Sequence, residues 1–350
     1  MPPSVVLVTG ASSFLGGHLA ARLAAHPEID RVLAVDTVPP HRDLLRRMER
    51  AEFVRADIRN PLISKVIERA SVDTVVHAAV SSGPGSSGGR ATMKEMNVIG
   101  TMQLLAACQK APTVQRLVLK STTAVYGSSS RDPALFTETD TPKGLPSGGY
   151  AKDAVEVEGY LRGFARRRPD VSVTVLRFAN FIGPRVDTVL TRYFALPAVP
   201  TVLGYDARVQ LLHEEDALAV LERATKEDLP GAYNVAADGV LLLSQAIRRA
   251  GKVPLPVPSP AVGPVSRILR GTRLVDFSPE QMRFLNFGRV VDTTRLRRQF
   301  GFTPRWTTTQ AFDDYVRGRA LTPVLGAERI EAAEHALLTV ARTVAEAVGR

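Results

Sequence analysis

Two groups of residues near the start of the chain have the types and spacing needed to bind a dinucleotide. Gly10 and Gly16 lie in a turn between an apolar run and a helical pattern, so the backbone can approach a pyrophosphate closely. Asp36 ends a second apolar run, where a carboxylate can bind both hydroxyls of the adenosine ribose and repel a 2′-phosphate. His41 and Arg42 could neutralise such a phosphate, and Asp36 could also simply end its strand. The pattern therefore predicts a dinucleotide site that prefers NAD to NADP.

The elements that position these residues alternate between strand and helix. This alternation indicates a parallel sheet covered by helices on both faces. The predicted strands are Val5–Thr9, Arg31–Val35, Glu52–Arg55, Thr74–His77, Arg116–Lys120 and Ser172–Arg177. The predicted helices include Phe14–Ala25, Ile63–Arg69, Met93–Lys110 and Lys152–Arg168.

The predicted fold class is α/β, a Rossmann-type doubly wound parallel sheet with a smaller interwoven C-terminal substrate lobe and an extra C-terminal helix. Residues 1–178 are predicted to form the NAD-binding domain, with strand and helix returns from later segments. Residues 179–320 are predicted to form the substrate lobe, and residues 321–350 a helical extension. At 350 residues the chain is long enough for this arrangement.

Composition favours a cytoplasmic enzyme. No stretch approaches the roughly 20 apolar residues of a membrane span, and the N-terminus lacks the pattern of a signal peptide. The single cysteine, Cys108, fits a reducing cytosol and lies in an apolar run as a small buried hydrophobe. The six histidines show no ligand spacing, so no metal is predicted. The net charge of +10 could attract phosphorylated substrates or anionic headgroups, but no recognition motif points to nucleic acid.

Eight motifs, in order from about residue 4 to about residue 318, resemble those of one family. It is the NAD-dependent epimerase/dehydratase family of extended short-chain dehydrogenase/reductases. The first motif is the turn Thr-Gly-x-x-Gly-x-x-Gly, in which Ser13 replaces the middle glycine. The motifs are Thr9–Gly16, Asp57-Ile58-Arg59, His77-Ala78-Ala79, Asn97–Thr101, Leu176–Pro184, His213–Asp216, Gly231–Val235 and Asp292…Leu296…Phe300-Gly301-Phe302-x-Pro304.

The resemblance implies an NAD site and a nucleotide-sugar site. The predicted cofactor-binding residues are Gly10, Ser12, Ser13, Phe14, Leu15, Gly16, Asp36, Asp57, Ile58, His77, Ala78, Ala79, Asn97 and Lys152. The predicted substrate-binding residues are Asn180, Arg208 and Arg289.

The resemblance also implies a catalytic group. Active members of the family carry a Ser or Thr at the end of strand five and a Tyr-x-x-x-Lys pair on the next helix. The tyrosine acts as acid and base, and the lysine holds the nicotinamide ribose and lowers the tyrosine pKa from about 10. Thr122, Tyr150 and Lys152 are the corresponding predicted catalytic residues, and Tyr126 is interpreted as structural or substrate-lining.

The tyrosine–lysine pair is not intact in this chain. Aligning on Lys152 puts Gly148 at the tyrosine position, and aligning on Tyr150 puts Ala154 at the lysine position. Residues two apart on a helix point about 200° apart. Tyr150 and Lys152 can therefore share one site only if residues 146–149 form an irregular loop that turns Tyr150 inward.

Four further segments carry predictions. Ser81–Gly89 is low in complexity and predicted to be a mobile loop, and residues 253–264 are proline-dense and predicted to be extended or loop. The basic segment 265–273 could be a solvated helix or could contact a diphosphate or a membrane surface. Helix 328–348 has apolar residues at heptad spacing and could dock on the chain itself, on a second copy or on another partner.

Two function classes follow. The first is an NAD-binding epimerase/dehydratase-like enzyme that transfers hydride to and from NAD on a nucleotide sugar or similar polar alcohol. For that class we predict a homo-oligomer, specifically a dimer. The alternative is a catalytically degenerate NAD-binding regulatory or scaffold protein that engages a partner or membrane surface through the basic segment and the C-terminal helix.

Overall fold

A seven-stranded parallel sheet forms the centre of the fold. The computed structural model describes residues 3–80, 90–141, 149–258 and 279–323. The strand order is β11-β6-β5-β4-β1-β2-β3. The strands are β1 (Val5–Thr9), β2 (Arg31–Asp36), β3 (Glu52–Arg55), β4 (Thr74–His77), β5 (Arg116–Thr122), β6 (Ser172–Phe178) and β11 (Gly231–Val235). The order reverses between β1 and β4, which is where folds of this type bind ligands.

Helices follow most strands of this sheet. In chain order they are α1 (Phe14–Ala25), α2 (Arg42–Arg47), α3 (Ile63–Arg69), α4 (Arg90–Lys94), α5 (Gly100–Lys110), α6 (Gly149–Arg167), α7 (Val189–Phe194), α8 (Glu214–Lys226), α9 (Leu243–Arg249), α10 (Pro279–Phe287), α11 (Thr294–Arg298) and α12 (Thr308–Gly318). A π-helical turn, Glu95–Ile99, joins α4 to α5, and a 3₁₀ turn, Thr123–Tyr126, follows β5.

The two faces of the sheet are buried against different helices. Val6 and Val8 of β1 pack with α1 and α8, while Leu7 between them packs with α3, α5 and α6. Successive side chains of a strand point to opposite faces, so a strand buried on both sides reads as a continuous apolar run. This is why the apolar run at the start of the chain predicts a central strand.

The predicted elements of the first half are confirmed with three differences. Strands β2, β5 and β6 continue one or two residues beyond their predicted ends. The helix predicted over Met93–Lys110 begins earlier, at Arg90, and is interrupted by the π-helical turn. The helix predicted from Lys152 begins at Gly149, whose φ is +69°. The last difference decides where the side chains of residues 150 and 152 point.

Smaller sheets lie beside the central one. The remaining strands are β7 (Asn180–Ile182), β8 (Ala198–Val202), β9 (Arg208–Val209), β10 (Leu211–His213), β12 (Leu241–Leu242), β13 (Val253–Val257) and β14 (Gly288–Arg289). They pair as β7 with β10, β8 with β13, and β12-β9-β14. The start of the proline-dense segment is thus extended, because β13 is a Val-Pro-Leu-Pro-Val strand that pairs with β8 alone. Each strand of a two-stranded sheet has one unpaired edge, so the prolines, which lack a backbone N–H, can be accommodated there. The domain boundaries at residues 178 and 320 stay predictions.

Several predicted features fall outside the described residues. They are the loop Ser81–Gly89, Gly148, the basic segment 265–273 and helix 328–348. Within the described ranges, no helix combines the length and the apolar character needed to cross a lipid bilayer.

Candidate active site

The turn between β1 and α1 needs glycine at two positions for steric reasons. Gly10 has a φ of +76°, and a Cβ there would lie 2.8 Å from the Cα of Ala79. A Cβ on Gly16 would lie 2.2 Å from the carbonyl oxygen of Gly10. Both distances are shorter than a real Cβ atom could adopt. The turn after β1 can therefore pack closely against the turn after β4 and against α1 only because Gly10 and Gly16 have no side chains.

Ser13 closes the same turn with its side chain. Its φ of −78° and ψ of 159° are extended, so no glycine is required at this position. Its Oγ donates to the carbonyl of Gly10 (2.7 Å) and accepts from the amide of Gly16 (3.2 Å), which caps α1. The amides of Phe14 and Leu15 have no acceptor within the helix. The N-terminus of α1 therefore remains an anion-binding end.

Asp36 is tied to this turn. Its Oδ2 accepts from the amide (2.9 Å) and from the hydroxyl (2.7 Å) of Ser12, and its Oδ1 accepts from the amide of Thr37 (2.7 Å). These bonds fix a carboxylate at the end of β2, next to the end of β1. This is the place from which an acidic residue can reach a ribose.

His77 braces the β4 side of the site from the interior. Its Nδ1 lies 2.8 Å from the hydroxyl of Thr9, and its Nε2 lies 2.8 Å from that of Thr101. Because Thr101 donates to the carbonyl of Asn97 (2.5 Å), it accepts from Nε2–H, and Thr9 donates to Nδ1. Burial lowers the pKa of His77 to about 3 and keeps the ring neutral. Its ring is structural, and the backbone at Ala78 and Ala79 borders the turn.

Asp57 and Ile58 have separate contacts. The Asp57 carboxylate binds the Arg59 guanidinium (Oδ2···Nη2 2.7 Å), and this hydrogen bond lowers the pKa of Asp57. Ile58 is buried, and its Cδ1 would lie 2.9 Å from a Cβ on Gly100. The carboxylate of Asp57 is thus already engaged by a neighbouring cation.

Asn97 links the π-helical turn to α6. It is buried, and its Nδ2 donates to Oδ2 of the fully buried Asp153 (3.2 Å). Such turns within a helix occur often at functional sites, because they re-aim side chains. Here the turn directs a polar side chain toward the helix that carries Tyr150.

A cavity of about 150 Å³ opens at the carboxyl ends of β5 and β6. We call it the β5 cavity. Thr122 is the last residue of β5 and Asn180 the first of β7, and both line it. Tyr150 from α6 and Arg289 from β14 line it as well. Four residues predicted from distant parts of the sequence therefore meet at one cavity. The other lining residues are Met93, Lys120, Ser121, Ala124, Gly149, Phe178, Ala179, Phe181, Thr188, Val189, Leu190, Gln281 and Phe284.

The arrangement combines a glycine turn at a helix N-terminus, a carboxylate at the end of β2 and a polar cavity at the same edge of the sheet. A family model described as the NAD dependent epimerase/dehydratase family matches residues 6–236. The chain belongs to this family. An uncharacterized protein of Mycobacterium tuberculosis (strain H37Rv) is 57% identical over 332 residues, which are 95% of this chain and 88% of that protein.

Solved structures share the fold of this family member. A UDP-glucose 4-epimerase of Thermus thermophilus, solved with NAD, aligns with a TM-score of 0.70 and 22% identity, covering 90% of this chain and 99% of that one. A UDP-glucuronic acid 4-epimerase of Bacillus cereus, solved with a UDP-sugar analogue and NAD, aligns with a TM-score of 0.70 and 18% identity, covering the same shares. At these identities the likeness establishes the Rossmann-type fold.

Lys152 and Arg208 lie apart from the other site residues of this family member. Both are exposed, and among the described residues that line the β5 cavity neither is present. Because α6 already begins at Gly149, Tyr150 and Lys152 project about 200° apart, and it is Tyr150 that reaches the cavity. The assignment of Lys152 to catalysis and to NAD stays a prediction.

Lys120 is the cavity residue that sequence reasoning missed. Its Nζ donates to the carbonyl of Val80 (2.5 Å) and lies 5.8 Å from the centroid of the Phe181 ring. Burial lowers the pKa of Lys120 to about 8. The available signal was a lysine at the end of a predicted strand, two positions before Thr122.

A buried polar network links the elements that carry the β5 cavity. Arg177 forms an ion pair with Glu158 (Nη2···Oε2 2.7 Å) and donates to the hydroxyl of Tyr126 (2.8 Å), which donates to Asn234 (2.7 Å). Ser121 donates to Glu158 as well (2.6 Å). Tyr126 is 1% exposed, so it is structural rather than substrate-lining. The network holds β5, β6, β11 and α6 in fixed register.

Cys108 and the possible metal ligands of the chain concern chemistry other than hydride transfer. Cys108 is buried, as predicted, and burial raises the pKa of its thiol to about 12, so the thiol is inert near neutral pH. In the part of the chain that the structure describes, no three His, Cys, Asp or Glu side chains are grouped so as to hold a metal ion.

Proposed function

We propose that this protein binds NAD and uses it to oxidise and re-reduce a hydroxyl-bearing carbon of a nucleotide sugar. One observation carries the proposal: the glycine turn with Asp36 and the β5 cavity open on the same edge of one parallel sheet. In folds of this class ligands bind at that edge, at the reversal of strand order. The proposed product chemistry is epimerisation, dehydration or simple oxidoreduction.

The glycine turn fits a dinucleotide. The space that a Cβ on Gly10 or Gly16 would fill lies beside the N-terminus of α1, where a pyrophosphate would accept from the amides of Phe14 and Leu15. Asp36 would bind the adenosine ribose. NAD, when bound, supplies a hydride acceptor and, once reduced, a hydride donor.

The β5 cavity supplies polar groups for a sugar. Thr122 and Tyr150 present hydroxyls from two elements, and Asn180 presents an amide. Arg289 donates to the carbonyl of Gly127 (2.7 Å) and to the hydroxyl of Ser128 (3.0 Å), so its guanidinium is held at the cavity wall. A guanidinium there would bind a diphosphate. Solved structures of the same fold support this substrate class for the chain: one epimerase holds UDP-glucose, and another holds a UDP-sugar analogue together with NAD.

Location and assembly are separate proposals. We propose a cytoplasmic homodimer, on the strength of the single cysteine and the family resemblance. A membrane or protein partner would engage segments 265–273 and 328–348, which are outside the described residues. The separation of Tyr150 from Lys152 agrees with the degenerate regulatory or scaffold role, whereas the glycine turn and the polar β5 cavity agree with an enzyme.

The test is the absorbance of reduced nicotinamide in NAD-loaded protein mixed with UDP-glucose, UDP-glucuronic acid and dTDP-glucose in turn. A rise with one sugar supports the proposal and names the substrate. NAD binding with no rise and no altered sugar product for any of the three would instead favour the regulatory or scaffold role. Failure to bind NAD would refute the proposal at its first step.

A further inference from the structure

The β5 cavity contains a cation that the predicted site did not include. Lys120 and Thr122 are two residues apart on β5, so their side chains project from the same face of the strand, and both line the cavity. Ser121 between them donates to Glu158 on α6. The two strand residues are thus presented together, one with a hydroxyl and one with an amine.

We propose that Lys120 is the proton carrier of the β5 cavity: its amine takes the hydroxyl proton of a bound sugar, and its ammonium form returns it. This inference rests on the proposed function. It assigns to a strand residue the proton transfer that Tyr150 and Lys152, which point to different sides of α6, cannot share.

The contacts of the Lys120 Nζ allow it to lose and regain a proton. An ammonium has three N–H donors, and one is used by the carbonyl of Val80 (2.5 Å). When the proton is lost, that bond can persist while the lone pair turns to the cavity. The Phe181 ring, 5.8 Å away, borders the amine with apolar surface. Among the described residues, no carboxylate lies within ion-pairing distance of Nζ to hold the ammonium charged.

The surrounding charges agree with an amine that titrates near neutral pH. On β4 the His77 ring is neutral, and on β14 Arg289 adds a positive charge to the same cavity. On α6 Asp153 is engaged by Asn97 and Glu158 by Arg177 of β6, and Glu156 is not among the described residues that line the cavity. Tyr150 is the remaining titratable group at the cavity. Burial lowers the pKa of Lys120 to about 8, which is the range in which a general acid or base works best.

The proton transfer is balanced as follows. The sugar O–H bond breaks, an N–H bond forms on Nζ, and the electron pair stays on the sugar oxygen. The return step reverses each change. No oxidant is consumed by this transfer, because the oxidation of the carbon belongs to the proposed NAD chemistry. The hydroxyl of Thr122 would orient the sugar oxygen without changing its own protonation.

The first experiment measures the amine directly and needs no substrate. The full-length protein is acetylated briefly with acetic anhydride between pH 6 and pH 10, and each lysine is quantified by mass spectrometry. Exposed Lys65 in the same digest corrects for decay of the reagent. A reactivity of Lys120 that rises with a midpoint near pH 8 supports the proposal. A midpoint at pH 10 or above would overturn it, whether or not the protein proves to be an enzyme.

The second experiment separates proton transfer from a merely structural role. Lys120→Arg keeps a donor for Val80 and a positive charge but cannot lose its proton at working pH. We expect Lys120→Arg and Lys120→Ala to lower hydride transfer by about 10²–10⁴-fold, with NAD affinity retained. Added ethylamine should restore part of the rate of Lys120→Ala. Lys252→Met is the matched control, since the ammonium of Lys252 also donates to a backbone carbonyl (Thr322, 3.0 Å) but lies outside the cavity.

The outcomes distinguish the two proposals. Parent-like rates and an unchanged pH profile in Lys120→Arg would show that Lys120 only anchors Val80, and would overturn this inference while leaving the proposed function intact. If the parent binds NAD but transfers no hydride, the proposed function fails. The acetylation midpoint then still decides whether Lys120 has the chemistry assigned to it.

Discussion

Gly16→Ala introduces a methyl group where the structure has no space. The added Cβ would lie 2.2 Å from the carbonyl oxygen of Gly10, against a minimum of 3.0 Å for real Cβ atoms. Because the obstacle is backbone, the turn or α1 must move by roughly 1 Å. Overpacking of this kind costs about 1–3 kcal/mol, and the better helix propensity of alanine returns about 1 kcal/mol. We expect a net loss of about 0–2 kcal/mol in the free energy of unfolding.

The effect on NAD affinity should be larger than the effect on stability. The same movement displaces the amides at the start of α1, and each lost hydrogen bond to a charged phosphate costs about 1.5–3 kcal/mol, or roughly 10–100-fold in affinity. Urea unfolding and calorimetric titration with NAD measure the two quantities. A Gly16→Ala protein that binds NAD like the parent would refute the close-packing argument.

Gly159→Ala is the matched control. Gly159 is also helical, on α6, but a Cβ there meets only the end of the Arg162 side chain at 3.8 Å. We therefore expect this substitution to stabilise the protein by about 0.5–1 kcal/mol and to leave NAD affinity unchanged. Equal effects of the two substitutions would mean that the loss in Gly16→Ala does not come from the turn.

Three further predictions follow from described contacts. Glu158→Gln leaves the Arg177 guanidinium buried without its counter-charge and should lower the free energy of unfolding by about 3 kcal/mol in urea, whereas Glu52→Gln, at an exposed pair with Arg31, should cost less than about 1 kcal/mol. The pKa of His77 is about 3 in the folded protein and about 6.5 in the unfolded chain, so only the unfolded chain gains a proton as the pH falls below about 6.5. The free energy of unfolding of the parent should therefore decrease by about 2 kcal/mol more than that of His77→Gln between pH 7 and pH 5. Urea unfolding at each pH measures this difference. Asp36→Asn should weaken NAD binding by roughly tenfold and narrow the preference for NAD over NADP, as titration with both cofactors would show; an unchanged preference would mean that Asp36 only ends its strand.

The positions of the proposed cofactor residues in the fold could be predicted because their determinants are local. Gly10, Gly16 and Asp36 lie within two strand–turn units, so the spacing of residue types in the sequence is also their spacing in the fold. The role of Ser13 was not evident in the same way. Its side chain caps α1 and bonds to Gly10, and only the turn geometry shows that the position does not require glycine.

The catalytic half depends on contacts between distant segments. Arg289 reaches the cavity because β14 pairs with β9, a pairing that no local pattern specifies. Lys120 reads in sequence as a polar strand end, and its burial comes from Val80 and Phe181 on other elements. The start of α6 was ambiguous for a different reason. The sequence predicted the helix from Lys152 and allowed an irregular loop before it, whereas in the structure the helix already begins at Gly149 and includes Tyr150.

The position of β11 has a consequence for synthesis on the ribosome. This strand completes the edge of the central sheet beside β6, and one face of the sheet is covered only when α8, Leu296 and Phe300 are also present. A nascent chain that has emerged only through β6 would therefore expose an unpaired strand edge and an open apolar face. We expect stable folding to wait until about residue 300 is outside the exit tunnel, with chaperones shielding the partial sheet until then.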